Sequence, residues 1–558
     1  MNRLTGAEAV VRLLQAHGVS HVFGLCGDTS LPLYDALQRL DHGITHVLTR
    51  DERHAAYMAD AYARVTGRPG VCEGPSGGGA TYILPGVVEA NESSIPLLAL
   101  TTDIGTASRG RFVLTELDQA ALFRPLTKWN AVIDRAEDVP RLLRRAFREM
   151  TGGRPGAVHL GLPFDVQKAP LDEHDLGADP VPPPPVAPDP TALLRAARLL
   201  HDAERPVIVC GGGVHNAGAW NELAMLAERL GVPVATTISG KGALADDHPL
   251  CLGVVGSNGG TPETRAVLDE ADVVVFVGCR AGSVTTERWR HPAPGKARIV
   301  HIDVDPRVMG ANYPTEAPVV ANARLALEAL AAETKLRRGA PFRDARARVA
   351  EAKAAKFARF QELATADEAP ICPERLVATL QDLLPEEALV LADPGTPCPY
   401  LSAYGRQRQP GRRFLSNRAH GALGWSLGAV VGAAIGRPEA KCVAVMGDGS
   451  FAMGCGELET IRRLGLPVTL IVVSNAVFGW IKAGQRAGFG ARYFSVDFSR
   501  TRHADVARAF GLDAWTVEDP AELRPALKRA LAADGPTLVD VVCQPLHEAA
   551  APVSEWIA

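Results

Sequence analysis

Residues 441–480 read KCVAVMGDGSFAMGCGELETIRRLGLPVTLIVVSNAVFGW. An apolar, β-branched run ends at Met446, Gly447-Asp448-Gly449 makes a tight turn, a helix follows from near Ser450, and a second apolar run ends at Ser474-Asn475. Strand, helix and strand in succession are the unit from which parallel sheets are built. In a doubly wound sheet the carboxyl ends of neighbouring strands form the ligand crevice, so Asp448 and Asn475 are expected side by side there. Two hard oxygen donors at that place suit Mg²⁺, which takes one or two side chains and completes its octahedron with water and phosphate oxygens. The glycines let the backbone approach an anion, and the start of the helix offers it unpaired N–H groups.

The same alternation runs outward through the chain, in Val19–Phe23, Val71–Cys72, Leu97–Thr101, Val207–Val209, Val273–Val277 and Ile299–Ile302, each followed by a longer amphipathic stretch. The class expected is α/β, with parallel sheets covered on both faces. A chain of 558 residues exceeds one core, and three doubly wound domains are expected. From Pro170 to Pro190 the sequence PLDEHDLGADPVPPPPVAPDP is rich in proline and acid. It cannot continue helix or strand and reads as an extended tether that closes the first domain. A charged, helical stretch from Glu328 to Thr365 leads into DEAPICPERL, where the third domain opens. The expected domains are 1–170, 190–335 and 366–558.

Composition narrows the function classes. Hydrophobic residues make up 47% and charged residues 22%, and no apolar run is long enough to span a bilayer. The formal charge is −4, with arginine dispersed along the chain, which excludes a nucleic-acid footprint. Ten cysteines without a CxxC pair point to reduced thiols and a cytoplasmic location. Met1–Val11 reads as the start of a helix, with no basic segment followed by an apolar one, so no export signal is expected.

GDGS followed twenty-seven residues after its Asp by Asn, across a helix and a strand, resembles the signature of thiamin diphosphate-dependent enzymes, and the chain as a whole is similar to their acetolactate synthase-like branch. The resemblance implies a pyrimidine-binding first domain, a Rossmann-like central domain and a diphosphate-binding third domain. It implies that Asp448, Asn475 and the backbone carbonyl of Val477 hold Mg²⁺, with Gly447, Gly449, Ser450, Phe478 and Gly479 around the cofactor. LVLADPGTPCPY turns after Ala392 and offers Gly395 and Thr396 to the diphosphate. In SNRAHGALGWSLGAVVGAAIG, Leu423 matches the bulky residue that bends the cofactor and Gly421 the carbonyl facing its amino group. The competing reading is a stretch of small residues for helix packing.

LTRDERHAAYMADAYARV places Glu52 where the family has its catalytic glutamate, with Asp51 before it in place of the usual histidine. Such a carboxyl protonates the aminopyrimidine ring and so assists loss of the thiazolium C2 proton. A solvated, acid-rich helix start is the alternative. FGLCGDTSLPLYDAL is similar to pyruvate decarboxylases at Asp28, yet their paired histidines are SRGRF here and their Glu after the metal loop is Ile481. Loss of two of three proton-handling groups favours capture of the enamine by a second carbonyl. Cys26, Asp28, Thr115, His420, Trp480 and Ile481 are pocket candidates. His420 is the best additional acid–base group, and plain packing competes for Phe478, Trp480 and Ile481.

The expected activity is decarboxylation of a 2-oxo acid with carboligation to a carbonyl acceptor. The alternatives are a simple 2-oxo acid decarboxylase and a 2-hydroxyacyl-CoA lyase. Related central domains can hold FAD, but PVIVCGGGV is not GxGxxG, so an empty or nonessential site is expected. The resemblance implies a homodimer or homotetramer with sites between subunits. The tail PLHEAAAPVSEWIA is a candidate lid.

Overall fold

The computed structural model describes residues 3–176, 182–334 and 344–556. It contains three six-stranded sheets, each parallel throughout. The first runs Thr45–Leu48, His21–Gly24, Gly70–Gly74, Leu97–Asp103, Ala157–Pro163, Trp129–Val132 across the sheet. The second runs Cys251–Val254, Val234–Thr236, Pro206–Cys210, Val273–Val277, Arg298–Asp303, Ala317–Val320. The third runs Phe414–Leu415, Leu389–Ala392, Cys442–Gly447, Thr469–Ser474, Thr537–Val542, Asp513–Val517. Central strands such as Val273–Val277 are buried along their whole length, which is why they read as continuous apolar runs. In each sheet the chain starts mid-sheet, moves to one edge and returns past its start, which creates a switch point where loops diverge. These points lie between the ends of His21–Gly24 and Gly70–Gly74, of Pro206–Cys210 and Val273–Val277, and of Leu389–Ala392 and Cys442–Gly447.

The chain forms two compact units. One comprises Met1–Pro184, Ala419–Glu439 and Met453–Leu466; the other comprises Pro185–Arg418, Ala440–Ala452 and Pro467–Ala558. In the first unit the helix Glu52–Thr66 packs against Trp425–Gly436, whose glycines recur every fourth residue. A Cβ on Gly432 would fall 1.9 Å from the carbonyl oxygen of Met58, and one on Gly428 2.8 Å from the His54 ring. Small residues are therefore required for the two backbones to approach this closely.

Several expectations need correction. The N-terminal helix starts at Gly6, because Thr5 caps it: Thr5 Oγ1 accepts from the Glu8 amide at 3.2 Å and Glu8 Oε2 accepts from the Thr5 amide at 2.7 Å, a reciprocal box. Arg3–Thr5 pairs antiparallel with Pro170–Asp172, so the segment expected to be a tether opens with a strand. Pro170 is tolerated as the first residue of an edge strand, where its missing N–H is not needed. A 3₁₀ turn follows over Glu173–Leu176, 182–189 has no regular structure, and the middle of the expected tether, 177–181, lies outside the described residues. The charged stretch is two helices, Ala323–Glu333 and Ala345–Ala364, with 335–343 outside the described residues. The helix after the GDG turn starts at Asp448, earlier than Ser450.

No helix among the described residues is long and apolar enough to cross a membrane. None of the ten cysteines is in a disulfide, and eight are buried.

Candidate active site

In the second unit the strands Cys442–Gly447 and Thr469–Ser474 run side by side, with Gly447 opposite Val473. Asp448 begins where the first ends, and its carboxylate is seated by backbone: Oδ1 accepts from the Gly449 amide at 2.8 Å, and Oδ2 from the amides of Asn475 at 2.8 Å and Ala476 at 2.6 Å. Burial pushes the Asp448 carboxyl above its ordinary range, against the pull of these three N–H groups. A cation at this place would reverse that shift. Ala476 adopts φ 56°, a left-handed kink that turns the chain after Asn475. Val477 bridges to Asp497, and among the described residues the Asn475 side chain makes no hydrogen bond. A Cβ on Gly449 would fall 2.7 Å from the Phe478 ring, whereas one on Gly447 would meet nothing within 4 Å. Thr396, on the other side of the switch point, has its hydroxyl 3.7 Å from where a Gly479 side chain would start. Gly395 before it has φ 99°. Asp448, Asn475, Val477, Phe478, Gly479 and Thr396 thus lie close together at the ends of these strands, and Ser450 is buried in the short helix Asp448–Ala452. Trp480 packs in a tilted contact, 5.1 Å between ring centres, against Trp556 of the tail, while Ile481 is 56% exposed. The tail is pinned further along, Ser554 donating to Ser257 O at 3.0 Å and to Glu287 Oε2 at 2.7 Å.

In the first unit the loop after Gly70–Gly74 is the hub. Glu52 is the first residue of its helix, behind the N-cap Asp51, whose carboxylate takes the Arg53 amide at 2.8 Å. Glu52 is only 7% exposed, unlike a solvated helix start. Burial, reinforced by the nearby Asp51 charge, raises its carboxyl. Oε1 lies 3.1 Å from where a Gly79 side chain would begin. Pro75 packs on Gly27, beside Asp28 and Cys26. Ser76 Oγ bonds Thr115 Oγ1 at 2.7 Å. Thr115 holds φ 71°, strained for a β-branched residue. Cys26, Asp28, Glu52 and Thr115 therefore converge on the loop 74–79. Burial first, then Glu73 and Asp28, raises the Cys26 thiol. His420, Gly421 and Leu423 belong to a separate loop of this unit, and His420 is exposed.

Three sequence-family models match the chain: the thiamine pyrophosphate enzyme N-terminal TPP binding domain over 4–122, the central domain over 193–330 and the C-terminal TPP binding domain over 393–541. A probable acetolactate synthase large subunit of Methanocaldococcus jannaschii is 35% identical, across 97% of this chain and 92% of the relative. An acetolactate synthase of Arthrospira platensis is 32% identical, across 97% and 94%. The acetolactate synthase large subunit of Corynebacterium glutamicum is 32% identical, across 97% and 87%. The chain belongs to the thiamine pyrophosphate enzyme family.

Sequence reading missed two features of this thiamine pyrophosphate enzyme. Glu89, fully buried, accepts from the backbone amides of Ala419, His420 and Gly421 at 3.3, 2.7 and 3.4 Å and from Arg64 at 3.1 Å. Arg64 also grips Asp60, which takes the Trp425 indole N–H at 3.0 Å. Asp60 and Arg64 stand four apart in an alanine-rich helix, a spacing that signals an ion pair, but nothing local indicates Glu89. The second is Glu73, 1% exposed, accepting from Ser30 Oγ at 2.6 Å and Tyr34 Oη at 2.8 Å. Burial is the main cause that pushes its carboxyl up to about 7, with the Glu52 charge adding to the rise. An acid inside an apolar strand was its only signal.

Proposed function

We propose that this chain decarboxylates a 2-oxo acid and joins the remaining fragment to a carbonyl acceptor, with thiamin diphosphate and Mg²⁺. The observation that carries the reading is Asp448, a buried carboxylate whose orientation is fixed by three backbone N–H groups at a switch point lined by glycines. Its oxygens, the Asn475 amide and the Val477 carbonyl are the hard donors Mg²⁺ prefers, and the open space before Gly447 fits a diphosphate. When bound, thiamin diphosphate supplies the electron sink for decarboxylation. Gly395, Thr396, Gly447, Gly449 and Ser450 would bind the diphosphate, Phe478 and Gly479 would wall it, and Leu423 and Gly421 would set the ring orientation. Glu52, buried and holding its proton to higher pH than an exposed glutamate, would share that proton with the aminopyrimidine ring. His420 and Asp28 are the further acid–base groups assigned, with Cys26, Thr115, Trp480 and Ile481 toward the substrate.

Carboligation is favoured because Ile481 cannot supply the proton that the carbon left by CO₂ must gain before an aldehyde can be released, and because the relatives are named acetolactate synthases. On this reading the three domains are 1–170, 190–335 and 366–558. The central switch point supports a structural reading of the triple glycine over an FAD site: a Cβ on Gly211 would fall 2.2 Å from Gly278 O, and one on Gly213 2.6 Å from Gly278 Cα. The glycines are used to bring two strand ends together. Mostly buried cysteines outside any disulfide fit a reducing cytoplasm. A homodimer or homotetramer, in which Glu52 of one subunit serves Asp448 of another, is supported by exposed apolar groups that a second copy would bury: Phe112 at 100% and Leu114 at 86%.

The test is incubation with thiamin diphosphate, Mg²⁺ and a panel of 2-oxo acids, with products identified by mass spectrometry. Hydroxyketone products are expected. Free aldehyde as the main product would replace the carboligase by a decarboxylase, and turnover of acyl-CoA substrates alone by a lyase.

A further inference from the structure

The edge strand Cys251–Val254, the helix Ala345–Ala364 and the end of the helix Pro397–Tyr404 enclose a cavity of about 190 Å³. At about 30 Å³ per water, that is room for roughly six waters or for a tetrahedral oxyanion with part of its hydration shell. Lys241, Lys353, Lys356 and Arg406 line it against Asp246 and Asp247. With Glu263, whose charge also reaches Lys356, four cations face three carboxylates, which leaves an excess of one positive charge. Asp246 is already engaged: Oδ2 accepts from Lys241 Nζ at 3.0 Å and from the Gln407 amide at 2.7 Å, and its backbone carbonyl takes Lys353 Nζ at 2.5 Å. Asp247 is exposed.

Lys356 is the telling residue. It is 5% exposed, and among the described residues no carboxylate pairs with it and no acceptor takes a hydrogen bond from it. Its ammonium stands 5.4 Å from the centre of the Phe357 ring and 5.7 Å from that of Tyr404. The Arg406 guanidinium lies 5.1 Å from the same Phe357 ring. Aromatic faces recover only part of the hydration an ammonium loses on burial. Burial, with Lys241 nearby, lowers its amine to about 8 against the opposing pull of Asp246 and Glu263, so it stays largely charged at neutral pH. A buried, charged amine facing a cavity with surplus positive charge, and with no anion among the described residues in hydrogen-bond contact, is open to a bound one.

We propose that this cavity is a binding site for a small dianion of the phosphate class, held by Lys356, Lys353 and Arg406. It shares no residue with the crevice around Asp448. The anion would tie together the edge strand, the long helix and the segment after Tyr404, and so would stabilise the folded chain when it binds.

The protein saturated with thiamin diphosphate and Mg²⁺ is titrated with inorganic phosphate in chloride buffer at constant ionic strength, by calorimetry and by thermal melting. Saturable binding of one phosphate per chain with a rise in Tm is expected. Lys356→Met should weaken that binding at least tenfold while matching or exceeding the wild-type Tm in chloride, since it removes an uncompensated buried charge. Lys353→Met should weaken binding in the same direction and carries the test if Lys356→Met does not fold. ADP, added as a competitor, separates the sources: Lys356-dependent displacement of phosphate points to a phosphorylated metabolite, and binding of inorganic phosphate alone points to the free ion. Absence of saturable phosphate binding in the wild type, or unchanged affinity in the variants that fold, would overturn the proposal.

Discussion

A carboxyl at the start of a helix ordinarily faces water, and Glu52 does not. Replacing it by Gln keeps the shape and removes the proton, so Glu52→Gln should bind thiamin diphosphate within a few-fold of wild type and slow exchange of the cofactor's C2 proton by ~10²-fold or more. Unchanged exchange, followed by NMR, would sink the assignment. Glu73 lends itself to a stability measurement. Its folded carboxyl, at about 7, lies above the ordinary 4.5, so the folded chain keeps the proton while the unfolded chain releases it. Stability is therefore lost as pH rises from about 4.5 to 7 and stays reduced above that, by up to ~3 kcal/mol. Glu73→Gln should flatten the fall of Tm across this window and be the more stable protein above pH 7; parallel curves would show that the buried acid carries no such cost. At this scale the legible residues were those with a fixed spacing. Asp448 and Asn475 lie at the ends of adjacent strands, and a strand, a turn and a helix set the number of residues between them. Glu89 was not legible, because its contacts are with amides some 330 positions away and only the assembled fold brings them together.

Among the elements, the helix Trp425–Gly436 shows how a sequence pattern can be read yet leave its role open. Its glycines indicated a close neighbour, and the structure supplies one in the helix Glu52–Thr66. The space at Gly432 is bounded by the Met58 carbonyl, which is backbone and cannot rotate away. Gly432→Ala should therefore destabilise the protein by ~3 kcal/mol, despite alanine's better helix propensity, as measured by the denaturant midpoint. A midpoint at or above that of wild type would mean that the helices do not approach so closely. Because the neighbouring helix begins with Glu52, the variant should also slow C2-proton exchange in the protein that remains folded. The two-stranded pairing of Arg3–Thr5 with Pro170–Asp172 escaped sequence reading for a different reason. Three-residue strands have no periodicity to detect, and proline argues against a strand everywhere except at an edge.

For the whole molecule, the arrangement of sites between copies can be tested without locating the interface. Glu52→Gln and Asp448→Asn should each be nearly inactive, yet co-expressed they should recover activity at roughly a quarter of the sites, since a mixed dimer rebuilds one intact site. No recovery would place both residues in a site made by one chain. The three sheets were legible because each buried strand is a continuous apolar run. The division into two units was not, because the first takes Ala419–Glu439 and Met453–Leu466 from far down the chain, and no composition change marks those segments. That division also bears on how the protein is made. Residue 466 leaves the ribosome about 280 residues after residue 184, a delay of roughly 15–60 s at 5–20 residues per second. For most of that time the nascent N-terminal portion lacks the glycine-lined helix Trp425–Gly436 that covers the helix of Glu52, and it presents a bare apolar flank to chaperones. Maturation of this portion is thus delayed until most of the chain has been translated, and a fragment ending at Pro184 would carry the same uncovered flank permanently.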